Sequence, residues 1–173
     1  IFGGYYTGTN GSGTQYYTAA GAGVGNWNRT SDTTLYAKWT AISYTVAYDL
    51  DGGTAGGTYP TSATYDSAYF LSAPSRNGWT FAGWILLDSG ANFSTAKYGD
   101  NATEVLLSFS SGKKTAIASD IYFKNLTSTN GNSVTLKAIW QKKGIVYFNY
   151  LNASSVKQTT TVDFSFTTDS PSV

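Results

Sequence analysis

Thr34-Leu35-Tyr36-Ala37-Lys38-Trp39 returns in this chain as Thr135-Leu136-Lys137-Ala138-Ile139-Trp140, the same residue at four of the six positions. After each Trp comes a short polar step and then a Tyr-rich alternating run, Tyr44-Thr45-Val46-Ala47-Tyr48 once and Ile145-Val146-Tyr147-Phe148-Asn149-Tyr150 the second time. A further echo joins Phe2-Gly3-Gly4-Tyr5 to Phe81-Ala82-Gly83-Trp84. Self-similarity at a fixed period outranks other sequence signals when a fold is assigned, because each copy must bury the same faces. The chain reads as a stretch of tandem repeat.

Composition narrows the class. With 16% aromatic residues, the rings can supply much of a core. Charged residues are 12%, against roughly 25% in an average domain, so Thr, Ser, Asn and Gly must furnish the polar surface. A net charge of +1 gives no electrostatic footprint for nucleic acid. Without Cys there are no disulfides or thiolate metal sites, and without His the commonest general base is gone. No apolar run reaches the length of a membrane span, so no membrane insertion is expected. The sequence begins Ile1-Phe2, which reads as a processed or excised polypeptide. Sequons at Asn10, Asn28, Asn92, Asn101, Asn125 and Asn152 fit an exported protein, extracellular or at the cell surface.

Strands dominate the reading. Segments 35–39, 44–50, 79–87, 121–126, 133–140, 145–151 and 159–167 are rich in β-branched and aromatic residues, several with period-two alternation. Asp51-Gly52-Gly53 must end a strand, and the Asn10-Gly11 and Asn130-Gly131 pairs suit hairpin turns. Short helices are expected over 64–71, before Pro74, and over 101–107.

The stretch from Tyr44 to Trp140 resembles the Listeria–Bacteroides cell-wall repeat, also called the internalin B-repeat. Four blocks carry the resemblance: Tyr44-Thr45-Val46-Ala47-Tyr48-Asp49-Leu50-Asp51-Gly52-Gly53-Thr54, Pro60 to Ala68, Ala73-Pro74 through Trp84, and Val134 to Trp140. The resemblance implies β-grasp-like modules strung on large surface proteins, with an adhesive or structural role, no catalysis and no cofactor. One departure is an insertion near 97–125 that carries its own strand. The expected fold is therefore mainly β, built of β-grasp-like tandem repeats with at most short helices.

Residues 1–41 match only the second half of a repeat, 42–141 a complete one, and 142–173 only a first half. Ser170-Pro171-Ser172 even echoes Ala73-Pro74-Ser75. Half a β module exposes an apolar face and open strand edges. Three arrangements stand: completion between chains to give a filament, a window on a longer array, or closure within one chain. The self-assembly residues would be Phe2, Tyr5, Leu35, Trp39, Ile145, Tyr147, Val162, Phe164 and Phe166. Partners would be copies of the chain, head-to-tail, with cell-wall or surface glycans also in view.

Other chemistry is thin. Asp49 and Asp51, two apart before a Gly loop, read either as a calcium site or as turn chemistry. Tyr16, Tyr17 and Trp27 either cover a thin core, which is the favoured reading, or are candidates for stacking on sugars, which would make the chain an adhesin-type module for glycans or a cell-surface protein. Lys38, Lys97, Lys124 and Lys137 stand in or near strands where a Lys–Asn crosslink is conceivable. With acidic residues scattered and no His, an enzyme is not expected.

Overall fold

A computed structural model describes residues 1–87, 89–100, 107–108 and 121–168. It is mainly β, and among the described residues the only helical element is a single 3-10 turn at Thr9–Gly11. The chain divides into two compact units, Ile1–Ile42 and Ser43–Val173.

The smaller unit is a three-stranded antiparallel sheet. Strands β1 (Phe2–Tyr6), β2 (Gln15–Tyr17) and β3 (Tyr36–Trp39) lie in the order β2-β1-β3. The expected Asn10-Gly11 turn does join β1 to β2, with Asn10 at φ 57 and Gly11 at φ 79. Among the described residues, one edge of β3 has no strand partner.

The larger unit stacks two sheets. Strands β4 (Ser43–Asp49), β5 (Ser62–Thr64), β7 (Thr80–Leu86), β11 (Ser133–Leu151) and β12 (Lys157–Thr167) form the first. There β4 runs parallel to β11, while β7 and β12 pair antiparallel with it and β5 antiparallel with β4. Strands β6 (Tyr69–Leu71), β8 (Lys97–Asp100), β9 (Leu107–Ser108) and β10 (Ile121–Lys124) form the second, in the order β6-β10-β8-β9. The insertion is thus part of the module: Tyr98, Ile121, Phe123 and Leu126 share one buried cluster with Tyr44, Val46, Trp84, Leu136 and Trp140.

Three local expectations are corrected. The helix over 64–71 does not form. Asp66 takes φ 65 and makes a turn between β5 and β6, held by Asn125, whose Oδ1 accepts the Asp66 N–H (2.7 Å) and whose Nδ2 donates to Asp66 Oδ1 (3.0 Å). Polar residues Gln141-Lys142-Lys143 were expected to break a strand, yet β11 runs through them without interruption for 19 residues. Each has a partner in β12, so the ladder on that side continues without apolar side chains. Asn130-Gly131 makes a turn but not a hairpin, since β10 and β11 belong to different sheets. The helix expected over 101–107 and the Ser170-Pro171-Ser172 echo lie outside the described residues, apart from Leu107, which is in β9.

Candidate functional site

The repeated sequence builds the same backbone device twice. In the larger unit β7 faces β11 with Phe81 opposite Trp140, Trp84 opposite Ala138, and an extra residue on β7 between these pairs. In the smaller unit β1 faces β3 with Phe2 opposite Trp39, Tyr5 opposite Ala37, and an extra residue on β1. Gly83 and Gly4 sit at the two bulges with φ 134 and φ 106, a region side chains rarely enter. At Gly4 a Cβ would also stand 2.2 Å from the Tyr17 carbonyl oxygen.

What covers these devices differs. In the larger unit Trp84 and Trp140 are wholly buried, at 0% exposure each. The Trp140 indole donates to the Leu50 carbonyl (3.0 Å) and lies on Gly53, where a Cβ would stand 2.3 Å from Cζ2. Trp84 meets Tyr48 and Tyr59 edge-on. Their counterparts Tyr5 and Trp39 are 42% and 71% exposed. Of those covering tyrosines, Tyr48 lies on β4 and Tyr59 between β4 and β6, Leu50 and Gly53 lie just after β4, and no strand within Ile1–Ile42 corresponds to β4. Tyr5, Tyr17, Leu35 and Gly21 line a shallow apolar depression in its place.

The second unfinished surface is the ribbon made by β11 beyond Gln141 together with β12. Among the described residues, β11 from Lys142 to Leu151 has no strand partner except β12, and β12 has none except β11. Pairs directly opposite one another share a face. One face therefore carries Val146, Phe148, Tyr150, Val162, Phe164 and Phe166, and the other Ile145 with Asp163 and Tyr147 with Thr161. All of these are exposed except where Phe166 meets Trp79 edge-on at its root. The ribbon is a longer version of the β4–β5 hairpin. Tyr44 opposes Ala63 in the hairpin, and Gly144 opposes Phe164 in the ribbon, so the large and small partners have exchanged strands. The Phe164 ring lies over Gly144, where a Cβ would stand 2.3 Å from it. In this register Val146, Phe148 and Tyr150 take the places of Val46, Tyr48 and Leu50.

The structure sorts the residues singled out from sequence. Phe2, Tyr5 and Trp39 stand together on one sheet, Leu35 lies just before β3 and shares a depression with Tyr5, and Val162, Phe164 and Phe166 share one ribbon face. Ile145 and Tyr147 are on the opposite face of the ribbon, so they do not join that set. Val146, Phe148 and Tyr150 were missed, although their alternation in the sequence mirrors Val46, Tyr48 and Leu50. Tyr16 is no open stacking platform. It is 4% exposed, packs on Trp27 with ring centroids 4.6 Å apart, and its hydroxyl donates to Asn28 Oδ1 while accepting from Arg29 Nε (3.1 Å). Tyr17 and Trp27 remain exposed. Asp49 Oδ1 accepts the Asp51 N–H (3.0 Å) and Asp51 pairs with Arg76 at 3.6 Å, so both carboxylates serve the turn. Lys124 pairs with Asp66 at 3.8 Å.

The bulged strand pair of the larger unit is thus repeated in the smaller one. The family model of the Listeria-Bacteroides repeat domain matches residues 44–105, which lie within the larger unit. That family is found in extracellular and surface proteins. No solved structure matches the chain.

Proposed function

We propose that this chain is a non-enzymatic structural element of an extracellular filament or cell-surface stalk, joined head-to-tail by strand complementation between half-modules. The observation that carries this reading is the contrast between Trp140, buried under Leu50 and Gly53, and Trp39, bare in the same register. Burying apolar surface is worth roughly 25 cal/mol per Å², so two bare faces of matching design favour association. Each half lacks what the other half supplies in the complete module. A contact between unlike surfaces grows into a fibre unless its rotation closes a ring. The burial of Tyr16 weighs against a three-ring glycan platform and so against the adhesin alternative.

Electron microscopy of the purified chain, beside a glycan-binding array probed with monomer, tests the reading. Filaments without glycan binding are expected. Monomers that bind a defined glycan would overturn it.

A further inference from the structure

The complete module is a template for how its two halves meet. There β11 lies parallel to β4 with Thr135 opposite Ala47, Leu136 opposite Tyr48 and Lys137 opposite Asp49. The duplicated bulge equates Leu136 with Leu35, and the hairpin register equates Tyr48 with Phe148. Tyr48 there meets Trp84 edge-on, with centroids 6.0 Å apart, and Trp84 corresponds to Tyr5. The depression lined by Tyr5, Tyr17 and Leu35 is where the equivalent ring would sit.

We infer that a second copy of this chain docks its ribbon along the free edge of β3, parallel, with Thr34 opposite Tyr147, Leu35 opposite Phe148 and Tyr36 opposite Asn149. Phe148 fills the Tyr5–Tyr17–Leu35 depression, and the Tyr150 carbonyl receives the Trp39 indole N–H as Leu50 receives that of Trp140. The strand order β1-β3-ribbon then repeats β7-β11-β4-β5. This rests on the complementation reading above and adds to it the partner and the register.

Covalent reach assigns the ribbon to another copy. Ser43 is held beside the start of β11, where Gly131 N–H donates to its carbonyl (2.7 Å) and its own N–H donates to Asn130 Oδ1 (3.0 Å). Fully extended, the chain from Leu35 to Ser43 reaches at most about 29 Å. Along the continuous strand from Ser133, Phe148 is roughly 50 Å away at about 3.3 Å per residue. Leu35 falls short of the Phe148 of its own chain by a wide margin.

The chain has no native Cys, so introduced thiols report cleanly. Thr34→Cys and Tyr147→Cys are made as separate variants of the full chain, mixed in equal amounts and oxidised. Controls mix Thr34→Cys with Ile145→Cys or with Asn149→Cys, which sit two residues out of register on the same ribbon face. The inference expects a disulfide-linked dimer from the first mixture and none from the controls, because Cα atoms more than about 7 Å apart cannot be bridged. Phe148→Asp, which alters an exposed ring, should abolish assembly and leave the thermal midpoint of dilute protein unchanged. Crosslinking in a control mixture but not the first overturns the register and leaves complementation standing. Assembly with no crosslink in any mixture also overturns the register. Absence of both assembly and crosslinks overturns the two readings together. An internal disulfide in the Thr34→Cys/Tyr147→Cys double variant at high dilution overturns the assignment to a second copy.

Discussion

Trp39 and Trp140 close the same six-residue block and stand opposite Phe2 and Phe81 in the same bulged register, yet only Trp140 is enclosed. A sequence written twice therefore gives one finished and one unfinished core, and the difference lies in which strands are present to cover the indole.

Truncating these two residues should separate their roles. Trp140→Ala removes a fully buried indole and strands the Leu50 carbonyl, and is expected to cost about 3–5 kcal/mol in urea unfolding followed by circular dichroism. Trp39→Ala removes an exposed ring and should cost under about 1 kcal/mol in dilute protein. Equal losses would show that Trp39 already belongs to a closed core.

Gly53 is fixed by approach, since a Cβ there would stand 2.3 Å from Trp140 Cζ2 and 3.0 Å from the Leu50 carbonyl oxygen. Gly53→Ala should therefore push Trp140 from its seat at about 1–3 kcal/mol, as overpacked cores do. Gly78 has open space around its Cβ position and strains only the backbone, at φ 73. Its Ala variant should leave the near-ultraviolet circular dichroism of the buried indoles intact, while Gly53→Ala perturbs it.

Alkali should unfold the larger unit in a defined window. Burial raises the pKa of Tyr44, Tyr48 and Tyr69 above the ordinary tyrosine value of 10.0. The unfolded chain ionises these phenols near 10.0 while the folded chain keeps them neutral, so the unfolded state sheds protons first. Stability is then fully present below pH 10 and falls as pH climbs past it, by up to about 1.4 kcal/mol per pH unit for each phenol. Urea unfolding across that range should show the fall, and Tyr69→Phe should remove one phenol's share of the slope. A slope unchanged by the substitution would contradict the assignment.

The ribbon tip depends on Asn152, whose Oδ1 accepts the N–H groups of Ser154 (3.0 Å) and Val156 (2.9 Å) while Ser155 sits at φ 57. Asn152→Ala should fray the tip, seen as faster amide exchange at Val156 with β4 unaffected. Unchanged exchange at Val156 would remove Asn152 from that role.

Much of this architecture was legible because repetition is explicit in the residues. The two Trp-closed blocks, the Gly at each bulge and the Tyr44–Leu50 alternation announce their strands. Pairing partners were not legible. Gln141-Lys142-Lys143-Gly144 reads as a break, since polarity says nothing of whether a neighbour will satisfy the backbone. Ile145 and Tyr147 were chosen over Val146 and Phe148 because choosing the face requires the partner's register, which Phe164 over Gly144 supplies. Tyr16 was weighed both as core cover and as a sugar platform, and its burial depends on Trp27, Asn28 and Arg29 folding back from a later loop.

The most direct test of the central claim is amide hydrogen exchange at two protein concentrations. The account predicts that the amides of residues 34–36 that point away from β1 and those of 146–149 that point away from β12 gain protection together as concentration rises, while β4 and the start of β11 are protected throughout. Exchange at both sets that is equally fast at low and high concentration would contradict it.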